Sequence, residues 1–404
     1  MQIVYERCCG LDVHKKSVVA CAITPEGKEI KTFGTTTKEI LALLDWITAK
    51  GCTHVAMEST GVYWKPIYNL LEQADITAFV VNARHIKVVP GRKTDVKDAE
   101  WIADLLRHGL LQGSYIPDRP QRELRELVRY RRSLLGERAR EVQRIQKVLE
   151  GANIKLSSVA TDILGVSGRS MLEAIVKGIE DPEILATMAR GRMKKKHDQL
   201  VDSLQGLLNN HQRMMLDLQL RHIDSLDQAI ARLDVEIEER MRPFERELAL
   251  LDTIPGVGRQ IAEQIIAEIG TDMSRFPSSA HLASWAGMAP GNNESAGKRK
   301  SGRTRKGNKS LRTTLTEAAR AAAHTKDTYL SAQYQRLVSR RGANRAAIAV
   351  GHSILVIVYH ILKTGMPYRE LGANYFDQWR KNAVVNNMVK RFNSLGFKVT
   401  IEVA

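Results

Sequence analysis

Two short apolar runs near the start of the chain each end in a carboxylate: Cys8-Cys9-Gly10-Leu11 in Asp12, and Thr53-His54-Val55-Ala56-Met57 in Glu58. Runs of that length and character read as strands. A strand that stops on an acid places the acid at the rim of a sheet. A second pair, Asp95 and Asp98, stands three residues apart in Lys93-Thr94-Asp95-Val96-Lys97-Asp98-Ala99, on one face of a helix. Strand-end acids and a helical pair can converge on one spot. Four carboxylates there repel one another unless a cation neutralises them, and an all-oxygen donor set suits Mg2+ or Mn2+. In a basic protein that set reads as a metal-dependent phosphodiester site. The plainer readings are strand-end acids facing water for Asp12 and Glu58, and pairing with Lys93 and Lys97 along the helix for Asp95 and Asp98.

The surrounding segment, residues 1–116, reads as an α/β unit. Two β-rich runs, 17–23 and 29–33, flank Pro25-Glu26-Gly27-Lys28, which has turn chemistry. With the run ending in Asp12 they form a three-stranded meander. A helix is expected over 38–50, a strand ending at Glu58, a helix over 64–73, a strand over 76–81 and helix beyond Thr94. Three strands, helix, strand, helix, strand, helix is the order of an RNase H-like fold.

At 404 residues the chain is long enough for two or three domains. A formal charge of +16 points to a polyanionic partner, nucleic acid first. The charge is clustered: eight Lys or Arg and no acid lie between Lys298 and Arg312. Cys8, Cys9, Cys21 and Cys52 form no C-x-x-C pair, which argues against zinc and against a disulfide framework. The start lacks the apolar segment of a signal peptide. The strongly apolar stretch 346–362 carries His352, Ser353 and His360 and is short for a membrane span. It reads as a buried core helix, and the product is expected in the cytoplasm, where DNA is.

Pro117 and Pro120 mark a change of character. Residues 117–250 read as a helical or coiled-coil region, with helices over 122–150 and about 193–251. Their recurring Leu and Ile suit a long helical hairpin, a coiled coil or an ordinary bundle. A third region, 251–367, opens on Ile254-Pro255-Gly256-Val257-Gly258, which matches a helix-hairpin-helix, although Pro-Gly-x-Gly is also a common loop. Gly256 and Gly258 there would let backbone N–H groups approach a phosphate. Helices are expected over 279–286 and 310–325, separated by an irregular segment, 287–307. Residues 368–404 form a tail with several aromatics and a possible strand over 397–403, with no role assigned.

Within the irregular segment, Ser295 precedes the cations Lys298, Arg299, Lys300, Arg303, Arg305 and Lys306. A serine there can attack a phosphodiester while the cations stabilise developing charge, or it is simply a polar loop residue, since nothing local orders it. Ser301 and Ser310 are equally admissible by spacing, and no histidine in the segment offers itself as base. The cations relieve their mutual repulsion best against phosphate.

Taken together, the motifs resemble one family. Gly10-Leu11-Asp12, Met57-Glu58-Ser59-Thr60-Gly61 and Lys93-Thr94-Asp95-Val96-Lys97-Asp98-Ala99 resemble the signature of the DEDD insertion-sequence transposases, the IS-one-ten family. Ile254-Pro255-Gly256-Val257-Gly258, Ala286-Gly287-Met288-Ala289-Pro290 and Asn293-Glu294-Ser295-Ala296-Gly297-Lys298 resemble its C-terminal transposase domain. The resemblance implies a RuvC-like N-terminal domain, a coiled-coil linker used in multimerisation and a mainly helical C-terminal domain carrying a serine. It implies that Asp12, Glu58, Asp95 and Asp98 bind Mg2+ and that Ser295 links covalently to DNA. It further implies a homo-oligomer, dimer or tetramer, guided by a structured RNA from the element that pairs with donor and target DNA. The expected activity is excision and insertion of the element itself. Two rivals follow from the same residues: a RuvC-like junction nuclease without covalent intermediate, and a non-catalytic nucleic-acid-binding protein.

Overall fold

The computed structural model describes residues 2–59, 61–82, 95–291, 293–295, 298–301, 304, 306–379 and 381–400; the side chains of residues 95–96, 293–295, 298–301 and 382–384 fall outside the description. The chain divides into two compact units, Met1–Pro117 and Asp118–Ala404.

The first unit is built on a five-stranded sheet in the order β3-β2-β1-β4-β5. Strands β1 (Cys8–Val13), β2 (Ser17–Thr24) and β3 (Gly27–Gly34) form an antiparallel meander, and β4 (His54–Glu58) and β5 (Thr77–Val81) extend it in parallel from β1. The β2–β3 turn uses Pro25 and Glu26, with Gly27 at φ 137°. β1 is buried along its whole length, whereas the edge strand β3 shows charged Lys28, Glu29 and Lys31 to solvent, which blocks edge-to-edge pairing. Strand alternation sorts the core. Cys9, Leu11, Val55 and Met57 face α1 (Thr37–Ala49) and α2 (Trp64–Gln73). Cys8, Cys21 and Ala56 face α3 (Asp95–Arg107) through Ala99, Ile102, Ala103 and Leu106.

All four cysteines are buried and free. Burial pushes the Cys8 thiol up to about 12 and those of Cys21 and Cys52 to about 11. Unfolded thiols ionise near 8.5. Between that value and the native ones the folded chain holds more protons, so stability must fall as pH rises. The expected loss is about 1.4 kcal/mol per pH unit for each such thiol, beginning above roughly pH 8.5. Maleimide labelling at pH 8 should be slow in the native protein and complete on denaturation. Rapid native labelling of all four would contradict this packing.

The second unit is helical apart from one hairpin. Its longest elements, α4 (Arg119–Gly151) and α9 (Asn210–Met241), lie antiparallel. Ion pairs mark their register, Glu123 with Arg240 at 3.0 Å, Arg131 with Asp234 at 3.0 Å and Arg138 with Asp227, and the His222 ring lies 3.4 Å from the Glu141 carboxylate. Asp118 caps α4 by accepting from the Gln121 N–H, and Pro120 sits in its first turn, where no donor is lost. Between the two long helices, α5 (Leu156–Val159), α6 (Val166–Val176), α7 (Pro182–Thr187), a 3-10 turn (Gly191–Lys196) and α8 (His197–Leu204) enclose a small apolar core with Leu172, Leu185 and Leu200.

The helical stretch expected over 193–251 is therefore interrupted. At Gly206 a Cβ would stand 2.6 Å from the Ala152 carbonyl oxygen, so the backbone crosses too closely for helix to continue with a side chain there. Asn209 and Gln212 then restart α9 through a reciprocal capping box.

The remainder comprises α10 (Glu245–Asp252), α11 (Arg259–Ile269), α12 (Ser279–Trp285), α13 (Lys309–Ala323), α14 (Tyr329–Arg341), α15 (Ala343–Thr364), α16 (Tyr375–Trp379) and α17 (Lys381–Ser394). Segment 287–307 is not wholly irregular, because β6 (Asn293–Ser295) pairs antiparallel with β7 (Lys298–Ser301). Among the described residues α15 alone is long and apolar enough to cross a bilayer, yet half of its apolar window is buried within the unit. It packs on α12, α13 and α14, and Gly351 admits the Leu315 backbone so closely that a Cβ would lie 3.0 Å from its oxygen. The tail is helical over Lys381–Ser394, and no strand occurs in the described part of 397–403.

Candidate active site

β1 and β4 run parallel with Leu11 opposite Met57, so the next residues in register are Asp12 and Glu58. Leu11 and Met57 face α1 and α2; alternation therefore turns Asp12 and Glu58 toward the α3 side. Asp12 is 7% exposed and Glu58 half-buried. α3 runs antiparallel to β1 on this face. The N–H groups of Val4 and Tyr5 donate to the Arg107 carbonyl at its C-terminal end, and the Cys8 thiol lies 3.6 Å from the Ala103 carbonyl. The first turn of α3, which holds Asp95 and Asp98, is consequently at the end of the sheet where Asp12 and Glu58 lie.

Gly10 sets this approach. A Cβ on it would be 2.4 Å from both the Ala99 oxygen and the Ala103 nitrogen. Those atoms are backbone and cannot swing aside, so glycine lets α3 lie against β1 two residues before Asp12. Asp98 is half-buried one residue from Ala99 on the packed face. Asp95 opens the helix, and its side chain lies outside the described residues. Among the described residues no group of three or more His, Cys, Asp and Glu stands close enough to hold a metal ion. Asp12, Glu58 and Asp98 share one end of one sheet face without forming a coordination shell by themselves.

His14 belongs to this site and was missed in the sequence. Its Nε2 is 3.0 Å from Asp12 Oδ2. The signal was present, because residues two apart at a strand end share a face, and Asp-x-His at the end of β1 meets that condition.

In the second unit Ser295 closes β6, with Lys298 as its partner in β7. The side chains of Ser295, Lys298, Arg299 and Lys300, and residues Arg303 and Arg305 entirely, lie outside the described residues; Lys306 is exposed. The base of the segment is closed, since a Cβ on Gly307 would be 2.3 Å from the Gly287 nitrogen. Asn308 then caps α13 by accepting from the Leu311 N–H at 3.1 Å, while its amide donates to Glu268 at 2.6 Å.

Gly256 and Gly258 differ in surroundings. Gly256 has φ 82°, and a Cβ would stand 2.4 Å from the Ala318 oxygen, so packing against α13 already requires glycine there. Gly258 caps α11, is exposed and has open space where a side chain would be.

Comparison with known proteins accounts for both halves. A family model described as a DEDD transposase matches residues 9–154, and one described as "Transposase IS116/IS110/IS902 family" matches 248–335. The chain is 25% identical over 370 residues to "Transposase for insertion sequence element IS1111A" of Coxiella burnetii, covering 89% of this chain and 90% of that one. It is 26% identical over 309 residues to an IS110 protein of Streptomyces coelicolor, covering 70% and 75%. It is also 23% identical over 374 residues to the "Pilin gene-inverting protein" of Moraxella lacunata, covering 89% and 96%. The two models match in chain order, one on the acid-bearing sheet and the other on the serine-bearing segment: the chain belongs to the IS116/IS110/IS902 transposase family and is a DNA transposase.

Proposed function

We propose that this transposase excises and inserts its own element through a RuvC-like acid site and a covalent phosphoserine intermediate. The observation that carries the reading is the placement of Asp12 beside Glu58 at adjacent parallel strand ends, on the face where α3 brings its acid-bearing first turn. The oxygen donors of Asp12, Glu58, Asp98 and Asp95 fit a hard dication, and every thiol is buried in the core. Those four residues would hold Mg2+, which when bound supplies positive charge that polarises the scissile phosphate. His14 holds the Asp12 carboxylate in place from its outer side.

Ser295 Oγ attacks phosphorus and displaces one DNA oxygen. A phosphoserine ester and a free DNA hydroxyl result, and reversal with a different hydroxyl rejoins strands without loss of the ester bond. Lys298, Arg299, Lys300, Arg303, Arg305 and Lys306 grip backbone phosphates of DNA or RNA, and the exposed start of α11 at Gly258 offers a further phosphate contact. Sequence choice is assigned to base pairing with a structured guide RNA, as the family resemblance implies, because the chain carries no evident groove-reading motif. A homo-oligomer completes this reading. The relative named as gene-inverting is consistent with recombination rather than simple cleavage.

The test is a covalent trap. Wild-type protein denatured during reaction with magnesium and donor DNA should carry labelled DNA, and Ser295→Ala should carry none. Cleavage without an adduct would favour the junction nuclease. Binding without cleavage or adduct would favour a non-catalytic role.

A further inference from the structure

Segment 152–209 has a polarised charge pattern. Five cations, Arg190, Arg192, Lys194, Lys195 and Lys196, fall within seven residues with no acid among them, while the rest of the segment carries three cations and seven acids. A surface made basic only for solubility would not concentrate its charge in one turn. The turn Gly191–Lys196 is 3-10, so its side chains repeat every three residues. Met193 and Lys196 share one side of the turn: Met193 packs on the small apolar core, and the exposed Lys196 donates through Nζ to the Val159 carbonyl at 3.0 Å. Those anchors leave Arg192, Lys194 and Lys195 exposed.

Their lack of acid partners distinguishes them from the arginines of α4 and α9, where Arg131, Arg138 and Arg240 each meet a carboxylate. Among the described residues none of Arg190, Arg192, Lys194 and Lys195 forms an ion pair. The turn also adjoins the start of α6, since the Arg190 N–H donates to Ser167 Oγ at 2.9 Å. α6 begins on Gly165, which has no side chain to cap it, so its positive end adds to the same field. Acids stand nearby as well: the Asp162 carboxylate accepts from the Leu164 N–H, and Glu183 and Asp198 meet His197 at 3.7 and 3.5 Å rather than the cations of the turn.

We propose that the turn Gly191–Lys196 is a nucleic-acid backbone site, separate in sequence from the cations of 298–312. It takes phosphodiester oxygens without reading bases, from duplex DNA or from folded RNA. The proposal rests on the chain's action on nucleic acid.

The experiment compares wild type with an Arg192→Ala, Lys194→Ala, Lys195→Ala triple variant, which leaves both anchors in place. Affinity for a random-sequence DNA duplex and for an RNA hairpin is measured across a salt series. Loss of two to three phosphate contacts should weaken binding at least about tenfold at low salt and flatten the log K against log salt slope by about 2. Arg192→Lys, Lys194→Arg and Lys195→Arg together should restore both. A change with DNA alone or RNA alone supports the site and identifies its source. Acetylation of Lys194 and Lys195 in the wild-type protein, with and without nucleic acid, gives a readout independent of how the variant folds: protection supports the site and equal labelling overturns it. An unchanged slope with both ligands also overturns it. Wild type that binds neither ligand would overturn the nucleic-acid reading itself, and this site with it.

Discussion

Asp12→Asn is expected to slow magnesium-dependent strand transfer by roughly 10^3-fold or more, about 4 kcal/mol at the transition state, while the fold is retained. The amide has the shape of the acid and can keep the 3.0 Å contact with His14. Removing one charge from a rim that also carries Glu58 relieves repulsion, so thermal melting should not fall. What is lost is an anionic oxygen at the end of β1, two residues beyond the point where Gly10 brings helix and strand together. A second substitution, Glu58→Gln, added to Asp12→Asn should cost little more, because residues that act as one unit are not additive. Wild-type transfer rates in Asp12→Asn would remove the acid cluster from the mechanism.

The α/β half of this arrangement was legible because its signals are local. Pro25, Glu26 and Gly27 specify a tight turn, the runs on either side alternate or are buried outright, and each acid ends an apolar run. Gly10 shows where local reading stops. Its glycine is explained by Ala99 and Ala103, which lie about ninety positions away in sequence, and nothing near Gly10 signals that contact. The β6–β7 hairpin escaped for a related reason. Lys298-Arg299-Lys300 has poor strand character by itself, and pairing with 293–295, closed at its base by Gly287 and Gly307, determines its form. Helix α17 escaped because its four asparagines lower helix propensity. His14 needed only the strand-end periodicity already applied to Asp12.

Glu268→Ala is expected to destabilise the second unit by about 3–5 kcal/mol, a large share of the roughly 5–15 kcal/mol that holds a domain. Glu268 is 2% exposed. Its carboxylate accepts from Arg129 Nε and Nη2 at 2.6 and 2.8 Å, lies 3.3 Å from Arg125 Nε, and accepts from the Asn308 amide at 2.6 Å. Burial pushes its pKa upward, but the Arg129 hydrogen bonds and the charges of Arg129 and Arg125 outweigh burial and hold it below the ordinary carboxylate range. The stabilisation is therefore complete above the unfolded value near 4.3 and is lost as pH falls through the lowered native value. Alanine leaves two arginines facing each other around an empty position and frees Asn308, the cap that joins the serine-bearing segment to α13. Urea unfolding followed through α4 and α11 should show a lower midpoint with Glu268→Ala. Glu268→Gln, which keeps an acceptor for Asn308, should fall between it and wild type. A midpoint for Glu268→Ala within about 1 kcal/mol of wild type would mean that apolar packing of α4 on α11, rather than this buried charge cluster, fixes the base on which Ser295 is carried.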